Sequence, residues 1–247
     1  MTETHILDPI GEVTIVLTDP NAPLALLPRT PEAETANDAK REPASDITFL
    51  SSTIDDKVMK PSDSVRETET QGDNTSSSEN PNEVRFKVSA AHLTLASSVF
   101  RHALTGDWVE GSELRTRGTA EIEATGWDTE AFLILLRIVH CKPYDLPKEV
   151  SLETLAKLAL IADYYDCVKL VQWYADAWIS KVASRGSSTN THEEELRDKI
   201  IRLWIAWVFD VAKDFTSHSS CIMHSAKEPI TSLGLPLPAA IIGEDYL

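Results

Sequence analysis

Cysteine, basic charge and long apolar runs are all scarce in this sequence. Its 247 residues hold three widely spaced cysteines, Cys141, Cys167 and Cys221, with no C-x-x-C metal or redox motif. That usage fits a reducing compartment. The longest unbroken apolar run, Leu203 to Phe209, is far short of the roughly 20 residues that a bilayer span needs. The opening "MTETHILDPI" lacks the basic n-region and apolar core of a signal peptide. A soluble, intracellular protein of cytoplasm and/or nucleus, away from the membrane, is expected. Lysine and arginine number 23 against 39 acids, for a net charge of −16, and no basic cluster offsets it, so nucleic-acid phosphates are a disfavoured partner. There is no phosphate-binding glycine loop, no G-x-S-x-G nucleophile turn and no H-E-x-x-H metal helix. A catalytic role, a cofactor and a bound metal are therefore not expected.

What is present is a 42% hydrophobic composition, enough for one sizeable core, concentrated between residues 84 and 182. Val84, Phe86 and Val88 alternate with Arg85 and Lys87, the period-2 signature of a half-buried strand. Ser89 stands at a helix N-cap position, and Leu93, Ala96, Ser97, Phe100 and Leu104 then recur at helical spacing. Asp128 caps a helix through Phe132 to Val139 that is apolar nearly all round and belongs at the domain centre. Ser151 caps a further helix carrying Leu155, Leu158 and Ala162. After a short break at Asp166 and Cys167, Val171, Tyr174, Trp178 and Val182 mark another, the two expected to pack as an antiparallel hairpin.

Ahead of this core, residues 10–28 hold a strand in "GEVTIVLT", closed by the turn-forming "DPNAP". From 29 to 83 the composition changes: 13 acids stand against 6 bases, and only seven residues are Ile, Leu, Val, Met or Phe. Such a stretch cannot bury enough apolar surface to offset its ordering entropy, so a disordered acidic insertion is expected there. "SDITFL", from Ser45 to Leu50, is a competing first strand. Ala120 to Ala124 is a weaker strand candidate. Residues 183–190 read as a linker, and 191–247 as a helical extension starting at Thr191, whose apolar stripe runs through Leu196, Ile200, Trp204, Trp207, Val211 and Phe215. Near the end, "GLPLPAAII" breaks and restarts a helix.

Isolated chemistry-bearing residues have plainer explanations. His218, Cys221 and His224 are spaced by three, but zinc usually needs a fourth ligand or an open catalytic position, so an ordinary polar helix or loop is favoured. His92 and His140 sit beside apolar helical faces and are read as structural. Asn74-Thr75-Ser76 fits the glycosylation pattern yet should stay unmodified in an intracellular chain. Ser52, Thr53 and Ser76 each have an acid three residues later, as acid-directed kinases prefer, although a solvated tether explains them as well.

Taken together these segments resemble the BTB/POZ domain, and within it the large fungal group. Ser89, Leu93, Ser97 and Phe100 fall on the H-x-x-x-L-x-x-x-S-x-x-F framework, with Ser89 in place of the frequent His. "AHLTLASSVFRHALTGDWVEG", "GWDTEAFLILLRIVH" and "SLETLAKLALIADYYDCVKLVQWYADAWI" are similar to its successive helices, over roughly residues 10 to 182 with one interruption. The resemblance implies an α+β fold, a small β-sheet with a cluster of α-helices over residues 84–182, here with a C-terminal helical extension. It implies a non-catalytic protein–protein interaction module that binds other proteins, a homodimer among them, with its first helix and sheet edge serving self-association. Leu93, Ala96 and Phe100 lie on the helix nearest that contact, although their spacing equally suits core packing. A cullin ubiquitin-ligase adaptor is the second reading, and it is not favoured: the family's hydrophobic-x-Glu motif is matched by Phe132, Leu133 and Ile134, an aliphatic residue replacing the acid. An enzyme with an unrecognised site is the alternative from another class, and it would require His, Asp, Glu and Ser to converge in a cleft.

Overall fold

Val84, Phe86 and Val88 bury one edge of their alternation while Glu83, Arg85 and Lys87 stay half-exposed, and the segment forms a strand. The computed structural model describes residues 3–25, 82–184, 191–225, 231–238 and 241. Among the described residues four strands form one mixed sheet: β1 (Glu3–Ile6), β2 (Val13–Thr18), β3 (Glu83–Val88) and β4 (Ala120–Thr125), in the order β1-β3-β2-β4. The central pair is antiparallel, from Val13 opposite Val88 to Thr18 opposite Glu83. β4 joins β2 in parallel, and β1 joins the far side of β3 in parallel. The strands expected at 11–18 and 120–124 are β2 and β4. β1 was not anticipated. Its four residues, Glu-Thr-His-Ile, carry no apolar alternation and are half-buried at most, so the strand is imposed by the open edge of β3.

Six helices cover the sheet and each other: α1 (Ala90–Ala96), α2 (Ser98–Thr105), α3 (Val109–Arg117), α4 (Thr129–Val139), α5 (Leu152–Tyr164) and α6 (Val168–Ser184). α4 is the centre, with Ala131, Phe132, Ile134, Leu135, Leu136, Ile138 and Val139 all buried. Asp128 caps it by accepting from the Ala131 amide, and its other carboxylate oxygen accepts from Lys157 of α5 at 2.9 Å. Ser151 caps α5 through the Thr154 amide. Asp166, in the left-handed region at φ 51°, makes the tight break before α6.

The helical face expected to run on from Leu93 to Leu104 is divided. Ser97 takes an extended conformation, ends α1 and caps α2 by accepting from the Phe100 amide. Its hydroxyl simultaneously donates to the Tyr165 carbonyl at 2.5 Å, so a buried side chain that serves a local amide and a distant carbonyl decides where the helix breaks.

The extension is likewise two helices where one stripe to Phe215 was expected. α7 (His192–Val208) is capped by Thr191 and ends at Phe209; Asp210, at φ 54°, turns the chain into α8 (Ala212–Ser225). α7 packs on α5 and on α8. Trp204 is buried, whereas Trp207 is 47% exposed and lies 6.0 Å from the Phe215 ring. Of the expected linker 183–190, Ala183 and Ser184 belong to α6 and the remainder lies outside the described residues. The acidic segment 29–83 lies outside them too, with the competing strand and the phosphorylation candidates, except that Asn82 forms a turn and Glu83 opens β3.

Candidate interaction surface

α1 divides its side chains sharply between core and solvent. Leu93 is fully buried. Ala96 is partly buried and packs on the same core. On α2, Phe100 is buried and stacks on Tyr165 with ring centroids 4.4 Å apart and planes within 12°. Of the three residues singled out on this helical face, then, two point inward and the third fills a boundary position. Leu95, one residue past Thr94 and off that stripe, is 82% exposed. An apolar side chain on the turn opposite the buried stripe has no folding role, and at this exposure it is available to a partner.

Beside Leu95 runs an open groove of roughly 800 Å³, walled by Leu95 and Ala96, by Ile138 and Val139 at the end of α4, by Leu170 of α6 and by Phe209 between α7 and α8. The groove owes its position to the junctions that converge on it. Ser98 donates to Asp166 at 2.6 Å, pinning the start of α2 to the α5–α6 turn, and Gln172 of α6 donates to the Phe209 carbonyl at 2.9 Å. Trp173, 83% exposed, lies on α6, off the Val171, Ala175 and Trp178 stripe. Leu95 and Trp173 are not legible from helical periodicity, because both lie between the periodic positions. Large apolar residues between those positions were the available signal.

Cys167 and the Ser98–Asp166 pair at the groove are engaged in hydrogen bonds. Burial, followed by the Asp166 charge, pushes the Cys167 thiol up to about 12, and its Sγ donates to the Ala162 carbonyl. The Ser98 hydroxyl is engaged by a carboxylate. His218, Cys221 and His224 lie on α8 with separate surroundings: His218 borders a small crevice with Arg202 and Asp214, Cys221 is exposed, and His224 Nδ1 pairs with the Ser220 carbonyl. Burial, then Arg202, lowers the His218 pKa, with Asp214 opposing. Among the described residues no group of three His, Cys, Asp or Glu side chains could hold a metal ion.

Residues 63–181 match the family model of the BTB/POZ domain. This segment is a BTB/POZ domain. The small mixed sheet and helical cluster are the α+β fold of that domain, and the C-terminal helices α7 and α8 follow the matched span. BTB/POZ domains are generally protein–protein interaction modules, typically non-catalytic, and they often dimerise. No curated protein matches the chain. The match begins after β2, yet β2 lies between β3 and β4 in the sheet, so this BTB/POZ domain completes its sheet with residues ahead of the matched span. In the hydrophobic-x-Glu position of α4, Phe132 and Ile134 are buried and Leu133 is partly so, while Glu130 one turn earlier is exposed. No described helix is long and apolar enough to cross a membrane.

Proposed function

We propose that this BTB/POZ chain is a non-catalytic scaffold of cytoplasm or nucleus that assembles with a second copy of itself or another protein through α1. The observation that carries this reading is Leu95: an 82% exposed leucine on α1 beside a groove whose apolar lining, Ala96, Ile138, Val139, Leu170 and Phe209, is interspersed with Asp166, Lys169 and Asp210. Leu93 and Phe100 support the contact from beneath by fixing the backbone that presents it. Sedimentation velocity of the full chain across a concentration series tests the homotypic form. Self-association weakened by Leu95→Asp, with the melting temperature unchanged, supports it. A monomer at every concentration, or association indifferent to Leu95→Asp, overturns it.

Cullin recruitment is the second reading, and we infer weak binding or none. Ile134 replaces the acid of the recruiting motif and is buried, so no side chain at that position can meet a polar group on a cullin; Glu130 is the nearest exposed carboxylate on the same helix. A nanomolar dissociation constant with a purified cullin N-terminal domain, about −12 kcal/mol, would promote the adaptor role over scaffolding.

A further inference from the structure

The β3–α1 junction is held by two side chains from distant parts of the chain. Ser89 occupies the N-cap position of α1 but makes no side-chain cap. Instead Glu12 accepts from the Ala90 amide at 3.1 Å, and His140, one residue past the end of α4, accepts from the Ser89 amide through Nε2 at 3.0 Å. The other ring nitrogen, Nδ1, is 2.8 Å from the Leu136 carbonyl. A carbonyl can only accept, so Nδ1 carries the hydrogen; a backbone amide can only donate, so Nε2 must be bare. The two partners together admit one tautomer and one charge state, the neutral imidazole. At Gly11 the backbone passes so close that an added Cβ would lie 2.3 Å from the Val88 carbonyl oxygen, which leaves the junction little room to adjust.

We propose that His140, with His92 stacked on it, is a proton-sensitive latch: neutral, it fastens α1 to α4 through the Ser89 amide, and protonated, it releases that amide and loosens α1 with the groove wall it carries. A proton added at Nε2 faces the Ser89 N–H, donor against donor, and the bond is lost. His92 of α1 lies parallel to His140, centroids 5.0 Å apart and planes within 22°, and its Nδ1 is buried without a hydrogen-bond partner. A charge on His140 therefore faces the stacked His92 ring, which disfavours it. From the remaining elements at this ring, Asp8 in the β1–β2 connection favours the charged form and Lys142 beyond α4 opposes it. Glu12 keeps its hold on Ala90, so release frees the start of α1 without detaching the helix.

Burial is the largest influence on His140 and moves its pKa below the ordinary 6.5, with the Leu136 carbonyl opposing and His92 assisting. The unfolded chain then takes up this proton at a higher pH than the folded one. The latch contributes its full stability above about pH 6.5 and loses it as pH falls from there through the lower folded value.

Nitrogen-15 NMR of the full chain from pH 8 to pH 5 tests the proposal, following the His140 ring nitrogens and the Ser89 amide together. His140→Gln is the control, since a side-chain amide can accept from Ser89 and donate to Leu136 without titrating. The expected result is a Ser89 amide shift with the same midpoint as protonation of His140 Nε2, and a loss of Ser89 protection, relative to the core amide of Ile161, that approaches about tenfold per pH unit between pH 6.5 and that midpoint and levels off below it. Both should be absent in His140→Gln. A His140 ring that titrates without moving Ser89, a ring that stays neutral to pH 5, or a Ser89 step that survives in His140→Gln overturns it. If His140→Gln does not fold, the wild-type ring and amide titrations decide alone.

Discussion

Arg197 reaches back 172 positions to Ala25, its Nε donating to the Ala25 carbonyl at 2.8 Å. The same guanidinium donates to the Leu24 carbonyl at 3.1 Å and to Glu153 of α5 at 3.2 Å. One side chain of the C-terminal extension thus satisfies two backbone acceptors in the segment after β2, where Leu24 and Ala25 are buried, and joins both to the domain core. The extension is part of the folded unit.

Arg197→Ala should lower stability by about 1–3 kcal/mol, because two carbonyls beside buried residues lose their donor. Arg197→Lys should recover only part of this, since an ammonium cannot reproduce the fan of contacts made by Nε and the terminal nitrogen. Urea unfolding of the three proteins checks it: full recovery by lysine would show that charge alone matters.

The two tryptophans of α7 should separate. Trp204→Ala should cost about 3–5 kcal/mol as a large buried side chain is deleted, and Trp207→Ala, at a position 47% exposed, well under half of that. Equal losses in thermal melts would contradict the α7–α8 arrangement described above.

Leu93→Ala and Leu95→Ala, two residues apart on α1, should behave oppositely. The first should cost about 2–5 kcal/mol; the second should leave unfolding unchanged and act only on self-association. Chemical denaturation read alongside sedimentation gives both answers on the same samples.

Two of the three thiols should react readily in the native protein. Cys141 and Cys221 are exposed, whereas Cys167 is buried with its pKa raised to about 12. At pH 8 only about one Cys167 side chain in ten thousand is thiolate. Titration with a thiol reagent should show two fast equivalents, and a third only on unfolding.

Thr18 pairs with Glu83, and the Asn82 side chain donates to Asp19 at 3.3 Å, so the chain leaves β2 and enters β3 at one point of the sheet. Replacing residues 29–79 with a short Gly/Ser linker should therefore preserve cooperative unfolding. Loss of a cooperative transition in that variant would assign the segment a part in the fold.

The sequence by itself determined the elements whose signals are local. The alternation through Val84 to Val88, the all-round apolarity of Phe132 to Val139 and the caps at Asp128 and Ser151 each depend on neighbours within a turn or a strand, and each appears where its period and cap place it. Tertiary structure alone decided what depends on distant partners. β1 exists because β3 offers an open edge. The break at Ser97 follows from a hydroxyl that meets the Tyr165 carbonyl 68 residues away, and the turn at Asp210 ends a stripe whose periodicity runs on unbroken. The candidate surface was half legible. Helical spacing identified α1 but selected Leu93 and Phe100, the inward residues, since periodicity reports burial, while Leu95 is defined by what the other elements leave uncovered. His140 shows the same limit: beside an apolar face it reads as a structural histidine. Only the fold brings the Ser89 amide to one ring nitrogen, with the Leu136 carbonyl at the other, and so fixes its charge.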